Sequence, residues 1–189
     1  MKITTIRHGE TDWNVAGKIQ GSVDTELNQN GINQAERLAK RLADVPCDII
    51  FSSDLKRAKK TAEIINSKHG VHIITSGNLR ESDFAEFEGQ SLSDDEVYSA
   101  FAEYMDGHVH VYFAKVHAYL NEILRSGHEN IFIVGHFGTV RAVACYLLNV
   151  PAEKRERFVI GNTAVHMFEQ KADGSFEMTL ENDTAHLER

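Results

Sequence analysis

Short apolar, β-branched runs alternate along the chain with longer stretches whose apolar residues recur every three or four positions. The first run, Lys2 to Ile6, predicts a strand. Residues 28–44 follow, with Ile32, Ala35, Leu38, Ala39 and Leu42 at helical spacing behind Asn28, a suitable N-cap. Pro46 stops that helix, and Asp48 to Phe51 predicts a second, buried strand. Ser53 or Asp54 is placed to cap the next helix, whose stripe is Leu55, Ala58, Ala62 and Ile65; Val71 to Ile74 is a third strand. A looser stretch, Ser76 to about Gln90, leads into residues 91–125, which are largely helical and divide in two around Asp106-Gly107. Asn130 to Val134 predicts a fourth strand, with a helix from Phe137 to Leu148 behind Gly135. The tail adds strands at Ala164 to Phe168 and Ser175 to Leu180, joined by a hairpin-like turn at Ala172-Asp173-Gly174. Strands alternating with amphipathic helices imply an α/β fold. The expected form is a three-layer α/β/α sandwich around a mainly parallel sheet, with an antiparallel edge at the end.

Composition narrows the setting. The 189 residues suit a single domain over 1–189, and 42% hydrophobic with 25% charged residues is the balance of an ordinary globule. Twenty Lys plus Arg against 28 Asp plus Glu give a net charge of −8, which argues against nucleic acid or an anionic membrane as partner. An anionic ligand then needs a local basic cluster. Two distant cysteines, Cys47 and Cys145, fit reduced thiols rather than a disulfide framework. No uncharged apolar run approaches the ~18–20 residues of a membrane span. Arg7, His8 and Glu10 stand where a signal peptide would be apolar, so a cytoplasmic location is expected. Nothing in the pattern points to a particular oligomeric state.

Candidate chemistry gathers where the strands end. Ligands of open α/β sheets bind beyond the carboxyl ends of the strands. Arg7-His8-Gly9-Glu10-Thr11 follows the first strand and Ser52-Ser53-Asp54 with Arg57 the second. Arg80-Glu81 follows the third after a loop, and Gly135-His136 the fourth. Parallel strands bring these four segments to one edge. Taken alone, Arg7 and Glu10 equally suit a loop ion pair, and His136 a packed loop histidine. Arg57 says more, because cations in a helix's first turn oppose its dipole by roughly 0.3–1 kcal/mol, so a basic start suggests an anion nearby. Among the other histidines only His108 and His110 are candidates for the border of the site. The chain has no H-E-x-x-H, no cysteine pair at zinc spacing, and neither glycine-rich nucleotide loop. A metal-free anion site is the reading that remains.

These segments are recognisable. Arg7-His8-Gly9-Glu10-Thr11 with Trp13-Asn14 resembles the signature of the histidine phosphatase superfamily, in its phosphoglycerate mutase-like branch. The likeness continues, in order, through Gln20-Gly21-Ser22, Ser52 to Ala58, Leu79-Arg80-Glu81, Val134-Gly135-His136 and Asn162-Thr163-Ala164. The resemblance implies His8 as the nucleophile that forms a phosphohistidine and Glu81 as proton donor to the leaving group. It implies Arg7, Arg57 and His136 around the phosphoryl oxygens, Asn14 as a supporting donor, and Gln20 and Gly21 near the substrate. Phosphoryl transfer depends mainly on positioning and charge stabilisation, and planar guanidiniums suit phosphate oxygens. Glu81 must keep a proton until the leaving alkoxide needs it, and a phosphate dianion beside it favours that form. The resemblance implies no cofactor and no metal.

Two departures stand out. Phe137 follows the second histidine where relatives carry a small residue, and the segment from Ser91 to Tyr112 is short. By resemblance, residues from about 82 to 118 form a short helical lid. A trimmed lid admits water, so the expected activity is a phosphomonoesterase acting on a small phosphorylated metabolite. The alternatives are a cofactor-dependent phosphoglycerate mutase and a non-catalytic module that binds phosphorylated ligands. The aromatic residues of the lid, Tyr98, Phe101, Tyr104, Tyr112 and Phe113, read as core rather than as a substrate platform.

Overall fold

A computed structural model describes residues 1–188. Its strands are β1 (Lys2–Arg7), β2 (Ile49–Ser53), β3 (His72–Ser76), β4 (Asn130–Gly135), β5 (Val165–Gln170) and β6 (Phe176–Asp183). They form one sheet in the order β3-β2-β4-β1-β5-β6. The first four in that order are parallel, and β5 and β6 add an antiparallel edge. In β4, Ile131, Phe132, Ile133 and Val134 are all buried, since both faces of the sheet are covered. The pleat sends Phe132 and Val134 to one face and Ile131 and Ile133 to the other.

Four α-helices cover those faces, α2 (Gln29–Arg41), α3 (Lys56–Asn66), α4 (Asp95–Leu124) and α5 (Phe137–Leu147), and a fifth, α1 (Asp12–Val15), is a short turn with no buried residue. Leu38, Ala58, Ala62 and Ile65 of α2 and α3 pack with Ile6, Ile50 and Phe132. Val116 and Leu120 of α4 and Val140 and Val143 of α5 pack with Ile3, Ile131 and Ile133. The three layers are those the pattern predicts. Asn28 caps α2 as expected, its side chain accepting from the Gly31 N–H at 2.8 Å. Among the described residues, no helix is long and apolar enough to cross a membrane.

Three expectations need correction. Residues 95–124 form one continuous helix, with no break at Asp106-Gly107. A lone exposed glycine costs a helix about 1 kcal/mol, less than the apolar stripe on either side recovers by packing. Neither Ser53 nor Asp54 caps α3: its N-cap is Leu55, and the Lys56 N–H is satisfied by Asp24 Oδ1 at 2.7 Å from a distant loop. Asp54 instead takes a two-pronged bond from Arg80, at 2.7 Å on each oxygen. The pattern also omits α1, a single turn closed by a reciprocal bond between Thr11 and Asn14.

The topology collects the chemistry at one edge. Arg7, Ser53 and Gly135 end β1, β2 and β4, and a 3-10 turn at Gly77–Leu79 carries the chain from β3 to Glu81. Because β5 runs the opposite way, Asn162 and Thr163 precede it at the same edge.

Candidate active site

A cavity of about 640 Å³ opens at that edge. All eight residues expected there line it: Arg7, His8, Asn14, Gln20, Gly21, Arg57, Glu81 and His136. His108 and His110 do not. His108 stacks on Tyr104 with 4.0 Å between ring centroids, and His110 pairs with Glu153 at 3.2 Å.

His8 is buried with its Nδ1 2.7 Å from the carbonyl oxygen of Gly9. A carbonyl can only accept, so Nδ1 carries the proton and Nε2 keeps its lone pair. The residue is pinned by its own backbone as well: its N–H donates to Gly135 O at 2.9 Å, and Asn162 Nδ2 donates to its carbonyl at 3.1 Å. Gly9 must lack a side chain, because a Cβ would press into the backbone of Gly31. Burial, then the charges of Arg7 and Arg57, hold the His8 imidazole well below the usual histidine range.

Arg57 donates to Val23 O at 2.6 Å and Gly21 O at 2.7 Å, and Arg7 to Ile160 O at 2.8 Å. Burial pushes both guanidiniums down to about 10, with Glu81 opposing the shift, so both remain charged at neutral pH. The Nε of each is buried without a partner among the described residues. Gly21 has φ +50, and a Cβ there would collide with the Glu88 carboxylate and the Phe84 ring. Glu88 in turn accepts from Ser22 N at 2.6 Å, holding the loop whose carbonyls aim Arg57. Glu10 does not pair with Arg7; its carboxylate accepts from Asn28 at 3.0 Å and Asn30 at 3.1 Å.

The His136 ring lies 5.2 Å from that of His8. Its Nε2 is 2.9 Å from Ser53 Oγ, whereas its Nδ1 is buried with no partner among the described residues. Burial first, then Arg57, His8 and Arg7, keep its pKa well below the usual value. Glu81 Oε2 accepts from Gly138 N at 2.9 Å, in the first turn of α5, and Oε1 accepts from Ser82 N at 3.1 Å. Behind it, Tyr112 donates to Arg80 O at 3.2 Å, with its hydroxyl 3.0 Å from Thr139 Oγ1. Burial, then the nearby Glu81, raises the Tyr112 phenol well above its usual range.

Asn14 Oδ1 accepts from Thr11 N at 3.1 Å and Asn162 Nδ2 at 3.3 Å, which leaves the Asn14 amide nitrogen free to donate. Gln20 Oε1 accepts from Thr25 Oγ1 at 2.7 Å, and its amide nitrogen is likewise the free end. Phe137 packs against Arg141, 4.0 Å from its guanidinium, and lies 5.4 Å from that of Arg7 while lining the cavity. It therefore forms part of the wall. Three supporting residues escape the sequence reading. Thr61 accepts from Gly9 N at 3.1 Å, Asn162 braces His8, and Tyr112 backs Glu81. Asn162 opens a motif segment and Thr61 lies shortly past another, but Tyr112 falls on the apolar stripe of α4 and gives no signal of its own. Among the described residues no three His, Cys, Asp or Glu side chains gather as a metal site would require.

The assembly joins an unprotonated imidazole nitrogen, two guanidiniums and a carboxyl group around a space for an anion. That set can bind a phosphoryl group, attack it and move a proton. Residues 3–184 match the model of the histidine phosphatase superfamily (branch 1). The chain is 32% identical over 203 residues to phosphoglycerate mutase-like protein 4 of Arabidopsis thaliana, covering 99% of this chain and 87% of that one. It also resembles the phosphoserine phosphatase of Entamoeba histolytica in complex with 3-phosphoglyceric acid, with a TM-score of 0.86, 29% identity and 98% of each chain covered. A mutant of the Entamoeba histolytica phosphoserine phosphatase in complex with phosphoserine gives a TM-score of 0.83 at 30% identity, again over 98% of each chain. With nearly its full length matched, the chain belongs to the histidine phosphatase superfamily.

Proposed function

We propose that this chain is a metal-independent phosphomonoesterase that hydrolyses a small phosphorylated metabolite through a phosphohistidine on His8. One observation carries the reading: the His8 Nδ1–H is committed to Gly9 O on a ring that lines the cavity under the charges of Arg7 and Arg57, so Nε2 stays unprotonated. In the first step Nε2 attacks phosphorus, the bond to the ester oxygen breaks, and Glu81 gives its proton to the departing alkoxide. In the second, water attacks the phosphohistidine, Glu81 takes a proton from it, and the P–N bond breaks to release inorganic phosphate and restore His8. Arg7, Arg57 and His136 hold the equatorial oxygens throughout, with Asn14 and Gln20 offering their free amide N–H groups. The phosphoserine and 3-phosphoglycerate bound by the relatives support a small phosphorylated metabolite as the substrate class.

A phosphoglycerate mutase is the second reading, because the same first step serves it and one relative is called mutase-like. Hydrolysis is favoured by the open rim, where Leu92 and Tyr98 line the cavity and stand exposed to solvent. A purely binding module would need neither His8 nor Glu81. The test is phosphate release from a panel of phosphomonoesters in excess EDTA, with wild type and His8→Ala. Release should survive chelation and fall by at least about 10³-fold in the variant. Near-normal release by His8→Ala, or a requirement for added divalent metal, would overturn the mechanism.

A further inference from the structure

The apolar stripe of α4 runs past the main core to a small satellite cluster at the cavity. At its C-terminal end the stripe, Val109, Tyr112, Phe113 and Val116, is buried under the sheet. Toward the N-terminus it continues at the same helical spacing through Tyr98, Phe101, Ala102 and Met105, yet none of these four is buried. All four line the outer part of the active-site cavity, Phe101 and Met105 partly buried against Ile19, Phe84 and Phe87 and Tyr98 and Ala102 exposed. Trp13, Ile19 and Phe137 add further apolar lining, and Leu92, also on the lining, is 41% exposed. Phe101 is locked edge-on to Phe84, 5.0 Å between centroids, so this wall has a defined shape.

The charges of the outer cavity are largely spoken for. Arg141 reaches Glu156 at 2.8 Å, and Arg155 reaches Asp106 at 2.8 Å and Glu156 at 3.4 Å. Lys18 alone has no carboxylate within ion-pairing distance among the described residues, and it lies over the Trp13 ring at 5.7 Å. A phosphoryl group at His8 fills only the cationic floor of a cavity of about 640 Å³, whose full volume is that of a site for a drug-sized ligand.

Resting on the phosphatase reading above, we propose that the outer cavity is a subsite for an apolar, ring-sized leaving alcohol. The preferred substrates are then phosphomonoesters of bulky apolar or aromatic alcohols rather than of small hydroxy acids. Phe101, Met105, Leu92 and Phe137 are the specificity-determining side chains.

The test compares kcat/KM for ethyl, hexyl, 2-phenylethyl and serine phosphates, measured by phosphate release. Ethanol, hexanol and 2-phenylethanol are primary alcohols of similar leaving ability, so differences among their esters report binding of the alcohol body. The ratio of 2-phenylethyl to ethyl phosphate should be at least about tenfold, and 2-phenylethyl phosphate should also exceed phosphoserine. Phe101→Ser and Leu92→Asp should each shrink that ratio; Leu92 is a surface position, so its variant serves if Phe101→Ser fails to fold. A ratio near one in wild type, a preference for phosphoserine, or an unchanged ratio in folded variants would overturn the subsite while leaving the phosphatase reading intact. Failure to release phosphate from any of the four esters would instead overturn the phosphatase reading, and the subsite with it.

Discussion

The hydroxyl of Ser53 sits 2.9 Å from Nε2 of His136 and also accepts the Leu55 N–H at 3.3 Å. Ser53 is fully buried, and among the described residues its hydroxyl proton has no hydrogen-bond acceptor other than Nε2. The bond places the imidazole proton on Nδ1, the ring nitrogen without a partner and the one available to a phosphoryl oxygen. Ser53 is thus a positioning residue, fixing the tautomer of His136 as Gly9 fixes that of His8.

Ser53→Ala is expected to lower kcat/KM by about tenfold, less than the ~10²–10³-fold loss typical when an oxyanion donor such as His136 is itself removed. The readout specific to positioning is the ¹⁵N spectrum of the imidazole, which should change from one tautomer to a mixture. An unaltered His136 spectrum in the variant would remove Ser53 from this role.

The buried histidines make a prediction about acid. An unfolded imidazole takes up a proton near pH 6.5. His8, His136, His117 and His166 are all lowered in the folded state, chiefly by burial. A depressed folded pKa means that the unfolded chain binds more protons as pH drops, so stability falls below about pH 6.5. The urea midpoint should therefore be lower at pH 5.5 than at pH 7.5, a window above the range where carboxylates titrate. Catalysis should not follow a histidine near 6.5 in the free protein, and the His8 and His136 ¹⁵N signals should stay those of neutral rings at pH 6. Either ring titrating at its ordinary value would contradict the burial argument.

The strands and the paired helices were legible because each carries an unbroken period. The apolar run Ile131 to Val134 is too short for a helix and stops at Gly135, which suits a strand covered on both faces, and the stripe of α2 keeps helical spacing throughout. The parallel order then brings Arg7, Arg57, Glu81 and His136 together without any further information. What could not be read is long-range. The cap of α3 comes from Asp24, and the aim of Arg57 from the carbonyls of Val23 and Gly21, which no local pattern announces. Gly107 misled for the opposite reason, because a local signal worth about 1 kcal/mol was outweighed by tertiary packing along α4. The four outer residues of that helix have the spacing of core positions, and only the cavity beside them shows that they face open space.

Glu81 is held in place from the first turn of α5. Its Oε2 takes the Gly138 N–H at 2.9 Å, and the same glycine has no room for a side chain: a Cβ would overlap Glu81 Oε1 and crowd the Tyr112 ring at 2.9 Å. Gly138 therefore sets both the hydrogen bond and the clearance of the proposed acid. Replacing it by alanine cannot remove the carboxyl but must displace it, whereas Glu81→Gln keeps the shape and removes the transferable proton. If Glu81 protonates the leaving oxygen, both variants should hurt esters of basic alcohols most. For an alkyl phosphate we expect a loss on the order of 10²–10⁴-fold in Glu81→Gln, the usual contribution of general acid catalysis. For 4-nitrophenyl phosphate, whose leaving group needs no proton, the loss should be much smaller. Gly138→Ala should follow the same order with smaller amplitude, and circular dichroism should show α5 intact. Equal losses on both esters in Glu81→Gln would remove Glu81 from the acid role. A Gly138→Ala variant that slows both esters alike would mean that the glycine serves the phosphate site rather than the acid.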